Sequence, residues 1–401
     1  MMVRKLFGEI SNRRKNFLLL FFLILNSVTW FYLIVILTGY AVPAPIPSAL
    51  PLRWLFYLAT LVSMLIGPIV AEKFDRMHFI RFWIILGVIS SLFPLVLPTL
   101  GEVEVAMLLI FWGFAFGIGF PSCLALIPLL TSVEKRGQTG GTIFLVTYLV
   151  LFLLIVITPL DIFSISLMLA VWRGLGLGIF LLHVKIDDSI KLGSVSYLSI
   201  LRRGKFFLYF FPWLAFCLVN YFGGQILGQS FGQSMSTLIV TMEFSVGALC
   251  CLISGWLMDL KGRKLVIITG LVMLGLGYAS LSFFPPNLFV QAFFIIVDSV
   301  AFGIFTVAFV FVVWGDMSIG ERGEKFYALG SICFHAAVII SLALSPWLKI
   351  IDISSAFSLA SFFIFLAIVP IFFASELLPE KVIKEREIRK YVEEAKKVAR
   401  R

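Results

Sequence analysis

Three ionisable residues interrupt stretches of the chain that are otherwise apolar: Arg173, Glu243 and Asp298. A charged side chain at the centre of a bilayer costs at least about 2.5–3.5 kcal/mol on insertion scales, so each one marks a candidate ion or solute path. A carboxyl group in such a place can carry a coupling proton, because burial favours its neutral form. Glu243 could equally tie neighbouring helices together by hydrogen bonds. For Arg173, pairing with nearby groups or snorkelling is favoured over solute contact. Softer polar residues form a second set: Asn26, and Asn220, Tyr221, Gln225 and Gln229 close together in one run. Each could line a cavity or bond one helix to another. The three histidines, His78, His183 and His335, are far apart, with His335 favoured as a core residue over a proton relay. Cys123, Cys217, Cys250, Cys251 and Cys333 contain no CxxC pair. That spacing predicts no metal site, no disulfide framework and no bound cofactor. With no P-loop and no nucleophile–base constellation, an enzyme or a primary pump is disfavoured.

The elements that must hold these residues follow from composition. The chain is 61% hydrophobic and only 13% charged, with a mean hydropathy of +1.06. Soluble domains carry about 45–50% apolar and about 25% charged residues, so this chain cannot cover itself with a water-facing surface. The apolar runs are continuous rather than alternating, which predicts helices and not a β-barrel. Twelve spans are expected, at 17–40, 52–72, 79–99, 104–130, 139–160, 163–183, 206–228, 235–258, 265–285, 288–315, 327–348 and 354–376. The first run mimics a signal peptide ending at Ala41-Val42-Pro43-Ala44, but at about 23 residues it exceeds a signal sequence's apolar region and reads as span one.

Of the 32 Lys and Arg, 29 fall in the tails and the even-numbered loops, and two, Arg53 and Lys349, in the odd-numbered loops. This asymmetry predicts an even number of spans with both termini cytoplasmic. It also accounts for the net charge of +10 and the pI near 9.4 without any nucleic-acid partner. Internal repetition supports the same count. Ala115-Phe116-Gly117-Ile118 returns as Ala301-Phe302-Gly303-Ile304, and Arg136-Gly137 as Arg322-Gly323, both 186 residues on. Thr158-Pro159 and Ser345-Pro346 match at an offset of 187, and Asp75 and Asp259 at 184. The expected architecture is an all-α polytopic membrane protein whose twelve transmembrane helices form two parallel six-helix repeats. Residues 1–183 form the first half, 184–205 a connector, 206–378 the second half and 379–401 a charged cytoplasmic tail.

The most informative motif is Gly255-Trp256-Leu257-Met258-Asp259-Leu260-Lys261-Gly262-Arg263-Lys264. It resembles the G-x-x-x-D-x-x-G-R-K loop of the major facilitator superfamily at all five signature positions. The first-half copy keeps Asp75 and Arg76 but has Ala71, His78 and Phe79 where the pattern has Gly, Gly and Arg. The segments Glu134–Gly137 and Glu321–Gly323 are similar to that superfamily's loops after spans four and ten. Physically, Gly255 lets two helices approach closely, and Asp259 can accept from the N-terminal amides of a neighbouring helix. Arg263 and Lys264 anchor at the anionic membrane face, and together these residues can latch one half against the other.

The resemblance implies a secondary transporter that moves a small solute by alternating access, with protons as a candidate coupling ion. It places spans one, four, seven and ten around the cavity, which makes Asp298 the best-placed path residue, with Glu243, Asn26, Asn220, Gln225 and Arg173 as further candidates for the path or its coupling. Asp75, Arg76, Gly255, Asp259, Gly262, Arg263 and Lys264 would form the gating loops. The expected partners are the solute, protons and membrane lipid, around a monomer in the cell membrane. A transporter-like receptor without net flux is the alternative. Gly113-x-x-x-Gly117 and Gly224-x-x-x-Gly228 are expected to be close-packing seams. Span five has Gly140-Gly141 and Pro159 at its ends and no glycine between, which lowers the expectation of drug:proton exchange.

Overall fold

The computed structural model describes residues 2–41, 49–157, 161–183, 192–348 and 351–379, with isolated positions at 382, 384, 388 and 392. Thr158, Pro159, Lys185, Lys191 and Lys349 lie outside the described residues. Among the described residues, twelve helices are long and apolar enough to cross a membrane. They are α1 (Lys15–Gly39), α2 (Leu52–Ala71), α3 (Arg76–Leu97), α4 (Glu102–Leu130), α5 (Val133–Leu154), α6 (Ile162–Leu181), α7 (Gly204–Phe231), α8 (Gln233–Lys261), α9 (Arg263–Phe283), α10 (Leu288–Met317), α11 (Glu324–Leu348) and α12 (Ile353–Phe373). Lipid offers backbone amides no partner, so each span satisfies its own. The outer surface is correspondingly apolar: Phe289, Leu288, Phe283 and Phe373 are among the most exposed side chains.

Short polar signals set the helix ends. Asp75 accepts from the His78 amide at the start of α3, Asn287 from Phe289 and Val290 at α10, and Asp352 from Ser355 at α12. The turn from α8 to α9 is a single residue, Gly262, at φ +98°. Only glycine adopts that conformation without a Cβ clash. Two cavity-side helices are irregular. α4 ends in short segments at Phe120–Leu124 and Ile127–Leu130, and α10 passes through a π-helical stretch at Thr306–Val312. Such stretches concentrate at functional sites.

Packing within the halves pairs α2 with α4, α1 and α3 with α6, α8 with α10, and α9 with α10 and α12. Between the halves, α5 packs along α8 and α2 along α11. Both glycines of the first seam behave as expected: a Cβ on Gly113 would run into the Phe56 carbonyl, and one on Gly117 into Ser63 and Thr60. The second seam differs. Gly224 faces open space and lines a cavity, whereas a Cβ on Gly228 would meet the Ser236 hydroxyl of α8.

Candidate functional site

A cavity of about 850 Å³ lies at the centre of the bundle. Its wall takes Phe31 and Tyr32 from α1, Phe116 from α4, Phe144 and Tyr148 from α5, Trp213 and Asn220 from α7, Glu243 and Phe244 from α8, Phe302 and Thr306 from α10, and His335 from α11. It is therefore built from both sides of the connector. A bridge crosses it, from Tyr148 on α5 to the Thr306 hydroxyl on α10 at 2.8 Å.

Glu243 and Asp298 meet at this wall, close enough for their carboxyl groups to share a hydrogen bond. Small residues make that meeting possible. A Cβ on Gly247 would touch the Ser299 carbonyl at 3.0 Å, and Gly303 sits against the Gly247 carbonyl, so α8 and α10 approach backbone to backbone. That close crossing aims the two acids at one point. Both are buried, Glu243 at 8% exposed and Asp298 at 2%. Asn220, Gln225 and Gln229 line the same cavity along α7, and the Gln225 Oε1 has no partner among the described residues. His335 also faces the cavity, with Nδ1 3.1 Å from the Ser331 carbonyl.

Asn26 and Arg173 are brought together elsewhere, outside the cavity lining. Arg173 on α6 donates to Asn26 Oδ1 at 2.7 Å and Ser27 Oγ at 2.9 Å. Its guanidinium lies 4.8 Å from the Trp30 ring centre and 4.3 Å from that of Trp83. Two tryptophan faces and two oxygens solvate the cation in place of water. It thereby pins α1, α3 and α6 to one another.

The third group closes one end of the cavity, at the face bearing the basic loops. Asp259 accepts from the backbone amides of Gly137 at 3.0 Å and Gln138 at 2.7 Å, which places a carboxylate on the N-terminus of α5. Gly255 and Gly137 allow that approach, since a Cβ on either would meet the other's carbonyl. Arg263 reaches Asp259 at 3.1 Å and Asp316 at 3.0 Å, and Asp316 also pairs with Arg136. These four charges sum to zero and are all buried, with Arg136 and Arg263 at 1% and 0% exposed. The Glu376 carboxylate receives the amides of Arg263 and Lys264, and Lys264 Nζ caps the carbonyls of Phe372 and Ala374.

The first-half copy works differently. Asp75 caps its own helix and contacts His78 Nδ1 at 2.6 Å. The contacts across to α11 come from its neighbours: Arg76 to Glu324 at 2.8 Å, and Glu72 to Lys325 at 2.8 Å. Burial alone would raise the Glu72 pKa, but hydrogen bonds from Lys325 and Ser194 outweigh it and hold the carboxyl below the ordinary carboxylate range. The connector joins the closure through Ser194 to Glu72, Tyr197 to the Leu65 carbonyl, and a two-point pair between Arg203 and Glu321 at 2.8 Å.

Sequence reasoning did not single out Glu72, Asp316, Glu324 or Lys325. Asp316 carried one available signal: the position 186 residues earlier is Leu130, so the acid belongs to one half only.

The family model for the Major Facilitator Superfamily matches residues 205–401. No curated protein matches the sequence. Among solved structures, the human organic anion transporter MFSD10 (TETRAN) superposes with a TM-score of 0.67 at 13% identity, covering 90% of this chain and 99% of that one. A bacterial homologue of the iron transporter ferroportin, in an outward-facing state, gives 0.68 at 12% identity, with 90% and 98% covered. The Major Facilitator Superfamily transporter FucP, in the outward conformation, gives 0.68 at 11% identity over the same shares. At these identities the likeness establishes the fold. Residues 205–401 match the Major Facilitator Superfamily model, and the chain shares the fold of these transporters across nine-tenths of its length, as an integral membrane protein with twelve membrane-spanning helices among the described residues.

Proposed function

We propose that the protein is a secondary transporter working by alternating access, with residues 1–183 and 206–378 rocking as two bodies about the central cavity. One observation carries this reading. The cavity lies between helices of both halves, and at the basic face a set of ion pairs and hydrogen bonds crosses between those halves. An opening at that face must break them. The charge asymmetry of the loops supports a cytoplasmic position for the sealed face, and on that reading this conformation is closed to the cytoplasm.

Glu243 and Asp298 form the coupling site. Two carboxyl groups in contact within an apolar wall are stable together when they share a proton. When the cavity closes over them they must be desolvated, and a protonated pair crosses that barrier more readily than a charged one. Proton occupancy then biases which face is open.

The test needs no knowledge of the solute. Spin-label pairs are placed at Phe74 and Ile319 on the basic face, and at Val103 and Leu288 on the opposite face; all four side chains are exposed. Distances between pH 8 and pH 5 should shift in opposite directions at the two faces. The Glu243→Gln/Asp298→Asn double variant should lose that pH response. Reciprocal motion that persists in the double variant would refute the coupling role, and the absence of reciprocal motion would refute alternating access.

A further inference from the structure

We infer that the central cavity takes an organic cation, a protonated amine or comparable onium group attached to ring-bearing apolar bulk. This rests on the transport reading above and names the class of solute.

The charge inventory of the wall is one-sided. Glu243 and Asp298 are its acidic residues, and among the described lining residues there is neither Lys nor Arg. An anionic solute would meet two carboxyl groups at close range with no compensating charge, in a setting where effective dielectric is low. A cation meets the reverse. Its ammonium can replace the shared proton of the pair and donate hydrogen bonds to both carboxylates.

The rest of the wall suits the remainder of such a molecule. Fifteen aromatic rings line the cavity. Several pack against one another on the wall that carries the acids: Tyr32 against Phe244 at 5.2 Å, Tyr148 against Phe244 at 5.2 Å, and Tyr148 against Phe302 at 5.4 Å between ring centres. Ring faces attract cations, and more strongly when water is excluded. A volume near 850 Å³ accommodates a drug-sized ligand.

Two competing classes fit less well. A hard divalent metal wants six or more oxygen ligands, and among the described residues no group of three or more His, Cys, Asp or Glu could hold a metal ion. A polyhydroxylated solute wants polar partners around its whole perimeter, whereas Asn220, Gln225 and Gln229 lie along α7 alone.

The experiment compares three probes with similar rings and different charge on purified full-length protein. These are tetraphenylphosphonium (+), triphenylphosphine oxide (neutral) and tetraphenylborate (−). Titratable groups that share the cavity wall with the pair are Tyr32 on α1, Tyr148 on α5, Cys217 and Tyr221 on α7, Tyr278 on α9 and His335 on α11, so binding is measured from pH 8 to pH 5.5 in the wild type and in His335→Gln. The phosphonium should bind at least tenfold more tightly than the borate and weaken several-fold toward pH 5.5, with the same profile in His335→Gln. In Glu243→Gln/Asp298→Asn its Kd should rise at least tenfold while the oxide is unaffected, which also reports that the variant is folded. Phe244→Leu should weaken the phosphonium several-fold more than the oxide. Equal or tighter binding of the borate, or an unchanged phosphonium Kd in the folded double variant, overturns the proposal. If the double variant does not fold, a wild-type phosphonium affinity independent of pH overturns it instead. Phosphonium binding without reciprocal motion of the spin labels would defeat the transport reading and leave the cation site standing. Reciprocal motion with preference for the borate would do the opposite.

Discussion

Removing Arg136 should open the basic face. Arg136 precedes the connector and Asp316 follows it, so under the proposed rocking motion their pair exists only while that face is closed. In the closed state Arg136, Arg263, Asp259 and Asp316 form a buried cluster of net charge zero. Arg136→Met leaves two carboxylates against one guanidinium at side chains that are almost wholly inaccessible. Stripping one partner from a buried pair costs about 3–5 kcal/mol. Because Arg263 stays 3.0 Å from Asp316, the lower end applies, about 3 kcal/mol. Once the face opens, water solvates the same carboxylates and the penalty falls away. At about 1.4 kcal/mol per tenfold, the closed-to-open ratio should drop by roughly a hundredfold. The assay is the distance distribution between spin labels at Phe74 and Ile319, which should move to longer distances. Adding Asp316→Asn restores a neutral cluster of Arg263 with Asp259 and should recover most of the closed population, since replacing both partners of a bond is far milder than orphaning one. An unchanged distribution in Arg136→Met, or no recovery in the double variant, would refute the reasoning.

The remaining expectations are smaller in reach. Asp259→Asn should loosen the same face more modestly, because it weakens a carboxylate's hold on the α5 N-terminus at Gly137 and Gln138; a longer Phe74–Ile319 distance checks it. Gly262→Ala should lower the thermal unfolding midpoint, with about 1–2 kcal/mol of strain from a non-glycine residue at φ +98° and crowding against Glu376; an unchanged midpoint would count against the turn's role. The Glu72–Lys325 link has a folded-state carboxyl pKa below its ordinary 4.5, so its contribution is fully present above that value and is lost as pH falls through the lowered pKa. The labels of Glu72→Gln should therefore differ from wild type at neutral pH, and the two should converge in strong acid. A cysteine at Pro286 should react from outside intact cells and one at Lys261 should not; reaction at Lys261 would overturn the assigned orientation.

The chain's own order of residues settled whatever depends on transfer to a bilayer and on local backbone geometry. Twelve runs long enough to span, their helical state, the basic loops and the Gly255–Lys264 motif are all local properties. Each can be judged over about twenty residues or fewer. What remained open depended on which helix faces which. Glu243 and Asp298 are 55 residues apart, and nothing in their spacing announces that Gly247 and Gly303 let α8 and α10 close until the two acids touch. The same reason split the predicted polar set. Asn220 and Gln225 stand on the cavity wall, whereas Asn26 turns to Arg173 between two tryptophans, although all are amides in apolar helices. Asp316 and Glu324 gained their meaning only when cations from the other half arrived beside them. Burying a charge without a partner is too costly to persist, so the position of each charge is decided by its partner, and partners distant in sequence are supplied by the tertiary fold alone.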